Sequence, residues 1–297
     1  MRAVGGSAGR GEGAVSTRLP PWLIPTMRKR PQLAGLGREL AEMGVHTVCQ
    51  SARCPNVGEC FARGIVTFMI LGEVCTRDCR FCAVTHGEPA PPDSEEPGRV
   101  ADAARKLGLR HVVVTSVTRD DLPDGGAAHF AATVSAIRER LPEATVETLT
   151  PDFGGSREAL RTALAGGPDV FNHNVETVPR LYREVRPQAD YERSLQVLAW
   201  AREMDAGAAT KSGFMVGLGE TEDEVLALLR DLRRAGVSAV TIGQYLPPTR
   251  RHLPVAEYVN PAVFEEYERA ARAMGFPHVL GGPLVRSSYH AEDLLGG

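Results

Sequence analysis

From residue 67 onward, short β-rich runs alternate with amphipathic helical stretches, and this rhythm constrains the fold more than any other feature. The runs are Thr67–Leu71, His111–Val117, Thr145–Leu149, Val170–Val175, Ser212–Leu218 and Ala239–Leu246. Each is short and rich in Val, Ile, Thr or Phe, as strands are. Helices are predicted between and after them, near 99–108, 127–141, 156–165, 190–206, 221–236 and 261–274. In one of them Val225, Leu228, Leu229 and Leu232 fall at i, i+3, i+4 and i+7 and make a single apolar face. Thr221 with Glu224 three residues later forms a capping-box signature at its start, and Gly236 stands where a C-cap glycine belongs. Strands joined through helices pair in parallel, with the helices outside. Six such units are too few for a closed eight-stranded barrel. They fit an incomplete, open barrel or a doubly wound sheet.

The segment before residue 62 differs in character. Pro20, Pro21, Pro25 and Pro31 break any long helix there, leaving room for a short one over 32–43. Residues 93–98, Asp-Ser-Glu-Glu-Pro-Gly, read as a solvated loop. A chain with 43% hydrophobic and 24% charged residues can build a sizeable core. Its net charge of −3 offers no broad basic field to nucleic acid. No apolar run reaches membrane-spanning length, and the N-terminus lacks the apolar stretch of a secretory signal. Residues 1–17, rich in Gly, Ala, Ser and Arg, suit a disordered tail or a weak organellar presequence. The tail of a cytoplasmic protein is the expectation.

All six cysteines lie between positions 49 and 82, in two triplets. With a large core and no export signal, free thiols that bind metal are expected rather than disulfides. The second triplet, Cys75-Thr-Arg-Asp-Cys79-Arg-Phe-Cys82, directly follows the first strand. That is the C-terminal mouth, where barrel chemistry is placed, and it favours the open barrel over the doubly wound sheet. Three thiolates are one short of the four that hold an iron–sulfur cube. One iron would then stay open, and an open position marks a catalytic metal site. The alternative is a zinc knuckle that borrows His86 or His46, although zinc sites usually use C-x2-C pairs. The first triplet is Cys49, Cys54 and Cys60. Pro55 and Gly58 among them suit a ligand loop better than a row of buried core cysteines.

The C-x3-C-x2-C run, with Phe81 before its last cysteine, resembles the signature of the radical S-adenosylmethionine superfamily. Joined to the upstream C-x4-C-x5-C run, it is similar to the lipoyl synthase family in particular. Further stretches agree: Arg18-Leu-Pro-Pro-Trp-Leu, the Thr115–Ala127 run, Phe171-Asn-His-Asn-Val-Glu-Thr, the Lys211–Glu220 run and Arg286-Ser-Ser-Tyr-His-Ala. The resemblance covers roughly residues 18–293. It implies two 4Fe–4S clusters and S-adenosylmethionine as cofactors. On this reading Cys75, Cys79 and Cys82 hold the cluster whose open iron chelates S-adenosylmethionine and generates a 5′-deoxyadenosyl radical. Cys49, Cys54 and Cys60 hold an auxiliary cluster sacrificed as sulfur donor. A serine of the Arg-Ser-Ser-Tyr motif is its fourth ligand, Ser288 with Ser287 as the fallback. A hard oxygen ligand suits an iron that must leave a soft sulfide cage, and Arg286 can favour serine deprotonation. The other reading of Ser287 and Ser288 is a plain turn capping the barrel.

Residues expected to contact S-adenosylmethionine are Phe81, Thr115, Ser116, Asn172, Asn174, Glu176, Lys211, Met215 and Gly217. Asn172, Asn174 and Glu176 alternate along one strand and share a face. Structural satisfaction of the barrel interior is an equal reading for them. Gly213, Gly217 and Gly219 allow close backbone approach but lack the spacing of a dinucleotide fingerprint. His173, on the opposite face, reads as packed. Gln244 and Tyr245 end the sixth strand at the mouth, and His290 has no assigned role. Asp120, Asp121 and Asp124 form a carboxylate-dense loop, either a solvated turn or part of the site.

The implied fold is a partial (β/α)6 barrel of the radical SAM type, residues 63–276. An auxiliary-cluster extension precedes it at 18–62, and a C-terminal cap segment follows at 277–297. The implied activity is insertion of two sulfur atoms at carbons six and eight of a protein-bound octanoyl-lysine. No side chain can deprotonate an aliphatic C–H near neutral pH, so acid–base catalysis gives way to cofactor chemistry. The implied partners are octanoylated lipoyl carrier domains of 2-oxoacid dehydrogenase E2 subunits and the glycine cleavage H protein. A reductant such as ferredoxin or flavodoxin and a cluster-carrier protein complete the set. A biotin-synthase-like or methylthio-transferring enzyme, an electron-carrying ferredoxin and a zinc-dependent binding module are the competing classes.

Overall fold

The structure is a computed structural model that describes residues 19–24, 32–51, 54, 56, 57, 60 and 66–289. The expected tail at 1–17 and His290 lie outside the described residues.

All six expected strands form. They are β2 (Thr67–Ile70), β5 (His111–Ser116), β6 (Thr145–Leu149), β7 (Val170–Asn172), β8 (Ala209–Val216) and β9 (Ala239–Gln244). They pair in parallel in that order within one eight-stranded sheet. The sheet is longer at each edge than the periodicity predicts. β10 (His278–Gly282) adds a parallel strand beside β9, and β1 (His46–Thr47) pairs antiparallel with β2. Neither edge carries the Val/Ile alternation that marks a strand: β1 has two residues and β10 ends in Gly-Gly. No pairing joins β1 to β10 among the described residues, so the sheet stays open.

The longer helices fall where the sequence pattern puts them, while two four-residue helices, Val48–Ser51 and Tyr182–Val185, are additional to it. α1 (Gln32–Glu42) and the short α2 (Val48–Ser51) precede the sheet. α3 (Glu96–Lys106), α4 (Ala127–Arg140), α5 (Arg157–Leu164), α6 (Tyr182–Val185), α7 (Tyr191–Met204), α8 (Glu222–Arg234) and α9 (Pro261–Ala273) follow. At α8 the Thr221 side chain accepts the Glu224 N–H while the Glu224 carboxylate accepts the Thr221 N–H, completing the capping box. Its Val225, Leu228, Leu229 and Leu232 are fully buried. Each such side chain stabilises the fold by about 1.5–3 kcal/mol relative to exposure.

The 93–98 stretch departs from expectation. Glu96 opens α3 and is 4% exposed. Its carboxylate accepts the Leu71 N–H at 2.7 Å and the His129 Nε2–H at 2.7 Å. Composition alone reads this segment as solvated. Tertiary packing turns one of its acids into the anchor for the end of β2.

Inside the barrel the parallel register lines up Met69, Thr115, Leu149, Asn172 and Lys211 across neighbouring strands. Lys211 is fully buried and its Nζ lies 3.0 Å from both carboxylate oxygens of the buried Glu147. Burial alone would push the Glu147 carboxyl up. The Lys211 ammonium, the neighbouring His111 ring at 3.8 Å and a hydrogen bond from Asn172 outweigh it and hold it below its ordinary range. This pair is the polar floor beneath the site.

Candidate active site at the barrel mouth

The second cysteine run leaves β2 through a sharp turn. Leu71 and Gly72 both have left-handed backbone, with φ of 67° and 89°. For a leucine that conformation costs energy. Two buried charges hold it: Glu96 takes the Leu71 N–H, and the buried Arg119 donates to the Leu71 carbonyl at 3.3 Å. Beyond the turn, β3 (Val74–Cys75) and β4 (Thr85–His86) pair and close off the cysteine loop between them.

Arg77 is the strut of that loop. Its guanidinium donates to Asp120 at 2.7 and 2.8 Å and to Asp152 at 3.1 and 2.7 Å. Burial would raise the Asp152 carboxyl, but the Arg77 hydrogen bonds and charge pull it down to about 2. The carboxylate-dense loop is therefore more than a solvated turn. Asp120 braces Arg77, Asp121 pairs with Arg119 at 2.8 Å, and Asp124 caps α4 through the Gly126 and Ala128 N–H groups. Sequence reading missed Arg77, Arg119, Glu96 and Asp152. The charge alternation of Arg77 and Asp78, and of Arg119, Asp120 and Asp121, was the only local signal.

The donor set fits an iron–sulfur cluster at each trio. None of the six cysteines is in a disulfide. Cys75 Sγ accepts the Thr118 N–H at 3.2 Å and the Arg77 N–H at 3.5 Å, as a metal-bound thiolate needs. Burial pushes the Cys79 thiol up to about 11 and the Cys82 thiol up to about 12, and each trio member lies within electrostatic reach of the others. The Cys82 carbonyl accepts the His252 Nε2–H at 3.0 Å, while His252 Nδ1 accepts the Thr249 hydroxyl at 2.9 Å. Among the described residues, no three His, Cys, Asp or Glu side chains group closely enough to hold a single metal ion. His46 and His86, the histidines a zinc reading would borrow, face Glu73 and Asp78 instead.

A cavity of about 380 Å³ joins the two cysteine runs. Cys49, Cys54 and Cys60 line one side, with Arg286, Ser287 and Ser288 beside them; Phe81 and Cys82 line another. Of the residues expected to contact cofactor, Phe81, Asn174, Glu176 and Met215 line the cavity, and Gln244 and Tyr245 join them. Thr115, Ser116, Asn172, Lys211 and Gly217 are not among its lining. The Thr115 hydroxyl donates to the Leu149 carbonyl at 2.9 Å, and Lys211 and Asn172 belong to the floor. Gly217, at φ 95°, lets Gln244 and the Glu257 carbonyl pack where a Cβ would stand. Glu176 also has left-handed backbone, at φ 66°, which turns its carboxylate to the cavity beside Asn174 Nδ2 at 3.1 Å. Burial pushes this carboxyl up, while the nearby Arg186 opposes the shift. His173 is packed, as expected, with Nδ1–H donating to the Thr150 carbonyl at 2.8 Å.

The two serines of the C-terminal motif have different surroundings. Ser287 Oγ accepts Asn172 Nδ2 at 3.0 Å and donates to Asn174 Oδ1 at 2.8 Å. Ser288 Oγ accepts the Thr67 hydroxyl at 2.9 Å. Thr67 also hydrogen-bonds Cys49, whose thiol burial pushes up. Arg286, within reach of the Cys54 sulfur, is drawn below its ordinary value by burial. Ser288 thus shares a neighbour with the first trio, whereas Ser287 is spent on the barrel asparagines.

Residues 69–232 match the radical SAM superfamily. Among solved structures, methylornithine synthase (PylB) superposes with a TM-score of 0.53 at 15% identity, over 77% of this chain and 76% of that one. At that identity the likeness speaks for the fold. A lipoyl synthase of Caldanaerobacter subterraneus subsp. tengcongensis is 58% identical over 94% of this chain and 97% of its own length. Another, from Rubrobacter xylanophilus, is 57% identical over 92% of this chain and 85% of its own. Identity of that extent, over more than nine-tenths of the chain, places the chain in the lipoyl synthase family of the radical SAM superfamily.

Proposed function

We propose that this chain inserts two sulfur atoms, at carbons six and eight, into an octanoyl group held in amide linkage by a lysine of a lipoyl carrier domain. One observation carries the reading: Cys82 and Phe81 of the second run line the same cavity as Cys49, Cys54, Cys60 and Ser288. A site that abstracts hydrogen and a site that delivers sulfur must meet at one carbon, and a shared cavity permits it. When bound, a 4Fe–4S cluster on Cys75, Cys79 and Cys82 with S-adenosylmethionine supplies a radical able to take hydrogen from an unactivated carbon, and one on Cys49, Cys54, Cys60 and Ser288 supplies the sulfur.

The chain's own residues position and shield. Arg77, Asp120 and Asp152 hold the loop of the second trio rigid. Asn174 and Glu176 offer an amide and a carboxylate to the polar end of S-adenosylmethionine, with Met215 as an apolar wall. Phe81, Pro247 and Pro248 keep water from a reactive carbon. Asn172 and Asn174 hold Ser287, and so fix where Ser288 stands next to Thr67. Residues 63–276 form the radical-generating unit on this reading, and 18–62 with 277–297 form the sulfur-donating one. E2 subunits and the H protein are the proposed carriers. Ferredoxin or flavodoxin is the proposed reductant, and a cluster-carrier protein restores the spent site.

The test is anaerobic reconstitution with iron and sulfide, followed by mass spectrometry of an octanoylated carrier with S-adenosylmethionine and reductant. Cys75→Ala is expected to stop cleavage of S-adenosylmethionine. Cys54→Ala and Ser288→Ala are expected to keep cleavage and lose sulfur insertion. Lipoyl product from the Cys54 variant would refute the assignment of the first trio.

A further inference from the structure

Many arginines of the described chain are matched by carboxylates. Arg99, Arg119, Arg138, Arg140, Arg157 and Arg180 each meet a carboxylate. Arg80, Arg183, Arg250 and Arg251 do not. All four are exposed, and none has an ion-pair partner among the described residues. Arg38, Arg110, Arg202, Arg230, Arg233 and Arg272 are exposed without an ion pair among the described residues too, but they stand apart on α1, before β5 and along the outer helices α7, α8 and α9.

The four arginines occupy three segments stitched together at the mouth. The Arg80 N–H donates to the Val185 carbonyl at 2.9 Å, which sets Arg80 beside the turn carrying Arg183. The Leu253 N–H donates to the Arg80 carbonyl at 3.4 Å, and His252 Nε2–H to the Cys82 carbonyl at 3.0 Å, which brings the Arg250–Arg251 loop to the same place. Pro247 and Pro248, just before that loop, line the cavity. The acids in these stretches are Asp78, which faces His86 at 3.5 Å, and the exposed Glu184. A chain of net charge −3 therefore surrounds its reaction mouth with an excess of unpaired positive charge. Exposed like charges repel one another and add nothing to folding, so their clustering calls for a partner.

We propose that Arg80, Arg183, Arg250 and Arg251 form a docking rim for an acidic protein surface, the face of the carrier domain that surrounds the acylated lysine. This rests on the proposed function, in which the lysine arm enters the cavity from a folded carrier. The rim steers and orients the carrier; the cavity holds only the arm and its acyl chain. Complementary charge of this kind acts mainly on the rate of association and weakens as salt rises.

The test uses the reconstituted enzyme carrying Arg183→Glu, Arg250→Glu and Arg251→Glu together, with Arg80 left alone because its backbone braces the cysteine loop. Two substrates are compared: the intact octanoylated carrier domain, and a short uncharged peptide bearing octanoyl-lysine. Binding of the carrier is also followed directly by fluorescence anisotropy. The expected result is association with the intact domain slowed about tenfold or more at low salt, dissociation little changed, and the difference shrinking as salt is raised. Peptide turnover and iron content match the parent. Carrier binding unchanged at low salt would overturn the proposal. So would an equal loss with peptide and domain, which would place the arginines' effect within the site. If the parent enzyme converts neither substrate, the function reading fails, and the anisotropy comparison still decides for or against the rim.

Discussion

Replacing Gly243 by alanine tests whether the serine motif must sit where it does. Gly243 lies in β9, and its backbone passes directly under the C-terminal segment. A Cβ there would stand 2.3 Å from the Val285 carbonyl oxygen and 3.2 Å from its carbon. An ordinary C···O contact is about 3.3 Å, so Val285 would have to retreat by roughly 1 Å. Overpacking of this kind costs about 1–3 kcal/mol. The segment is held by Asn56 on the Leu284 carbonyl, Thr67 on Ser288, and the two asparagines on Ser287. Each such bond contributes about 0.5–1.5 kcal/mol net, so the strain matches one or two of them and the segment shifts without detaching. A displacement of about 1 Å in a positioned reactive group can lower rate about 100-fold. The expected outcome is a loss of lipoyl product of that order, with 5′-deoxyadenosine formation largely kept and a urea midpoint lowered by the equivalent of 1–3 kcal/mol. Parental product yield and stability would refute the reasoning. Equal loss of 5′-deoxyadenosine would mean that the methyl group obstructs S-adenosylmethionine instead.

Two further perturbations act beneath the mouth. Lys211→Met leaves the buried Glu147 without its ammonium and should cost about 3–5 kcal/mol in urea melts, while adding Glu147→Leu should recover most of that; a double variant no better than the single would show that the pair is not the cause. Burial, reinforced by Arg186, holds the His173 ring down at about 4. The unfolded chain takes up a proton near 6.5 and the folded one does not, so stability is lost as pH falls from about 6.5 to about 4, by about 3 kcal/mol in all. His173→Gln, which can still donate to the Thr150 carbonyl, should flatten that slope in urea titrations across the window; an unchanged slope would assign the acid sensitivity elsewhere.

The chain divides its labour between a rigid floor and a fastened lip. The floor is made by Glu147, Lys211 and Asn172, all fully buried, and it fixes the asparagine that Ser287 leans on. The lip is the segment 284–289, which four hydrogen bonds from distant strands and loops help to hold beside the first cysteine trio. Ser288 meets the first trio through Thr67, which also hydrogen-bonds Cys49, and its own bond to Thr67 is a single one between neutral hydroxyls.

What the sequence determined is local or covalent. Cysteine spacing, strand composition, the i, i+3, i+4, i+7 face of α8 and its capping box depend on residues a few positions apart, and they survive in a string of letters. Tertiary structure decided whatever depends on distance in space. The parallel register made Lys211 a partner of Glu147 rather than a cavity wall, and it sent Asn172 to Ser287, 115 residues away. It buried Glu96 from a stretch that composition reads as solvated, because β2 ends with an N–H that needs an acceptor. It also distinguished Ser288 from Ser287, two identical side chains, by giving one to Thr67 and the other to the barrel asparagines. Adjacent identical residues carry no difference in sequence; only the groups that meet them do.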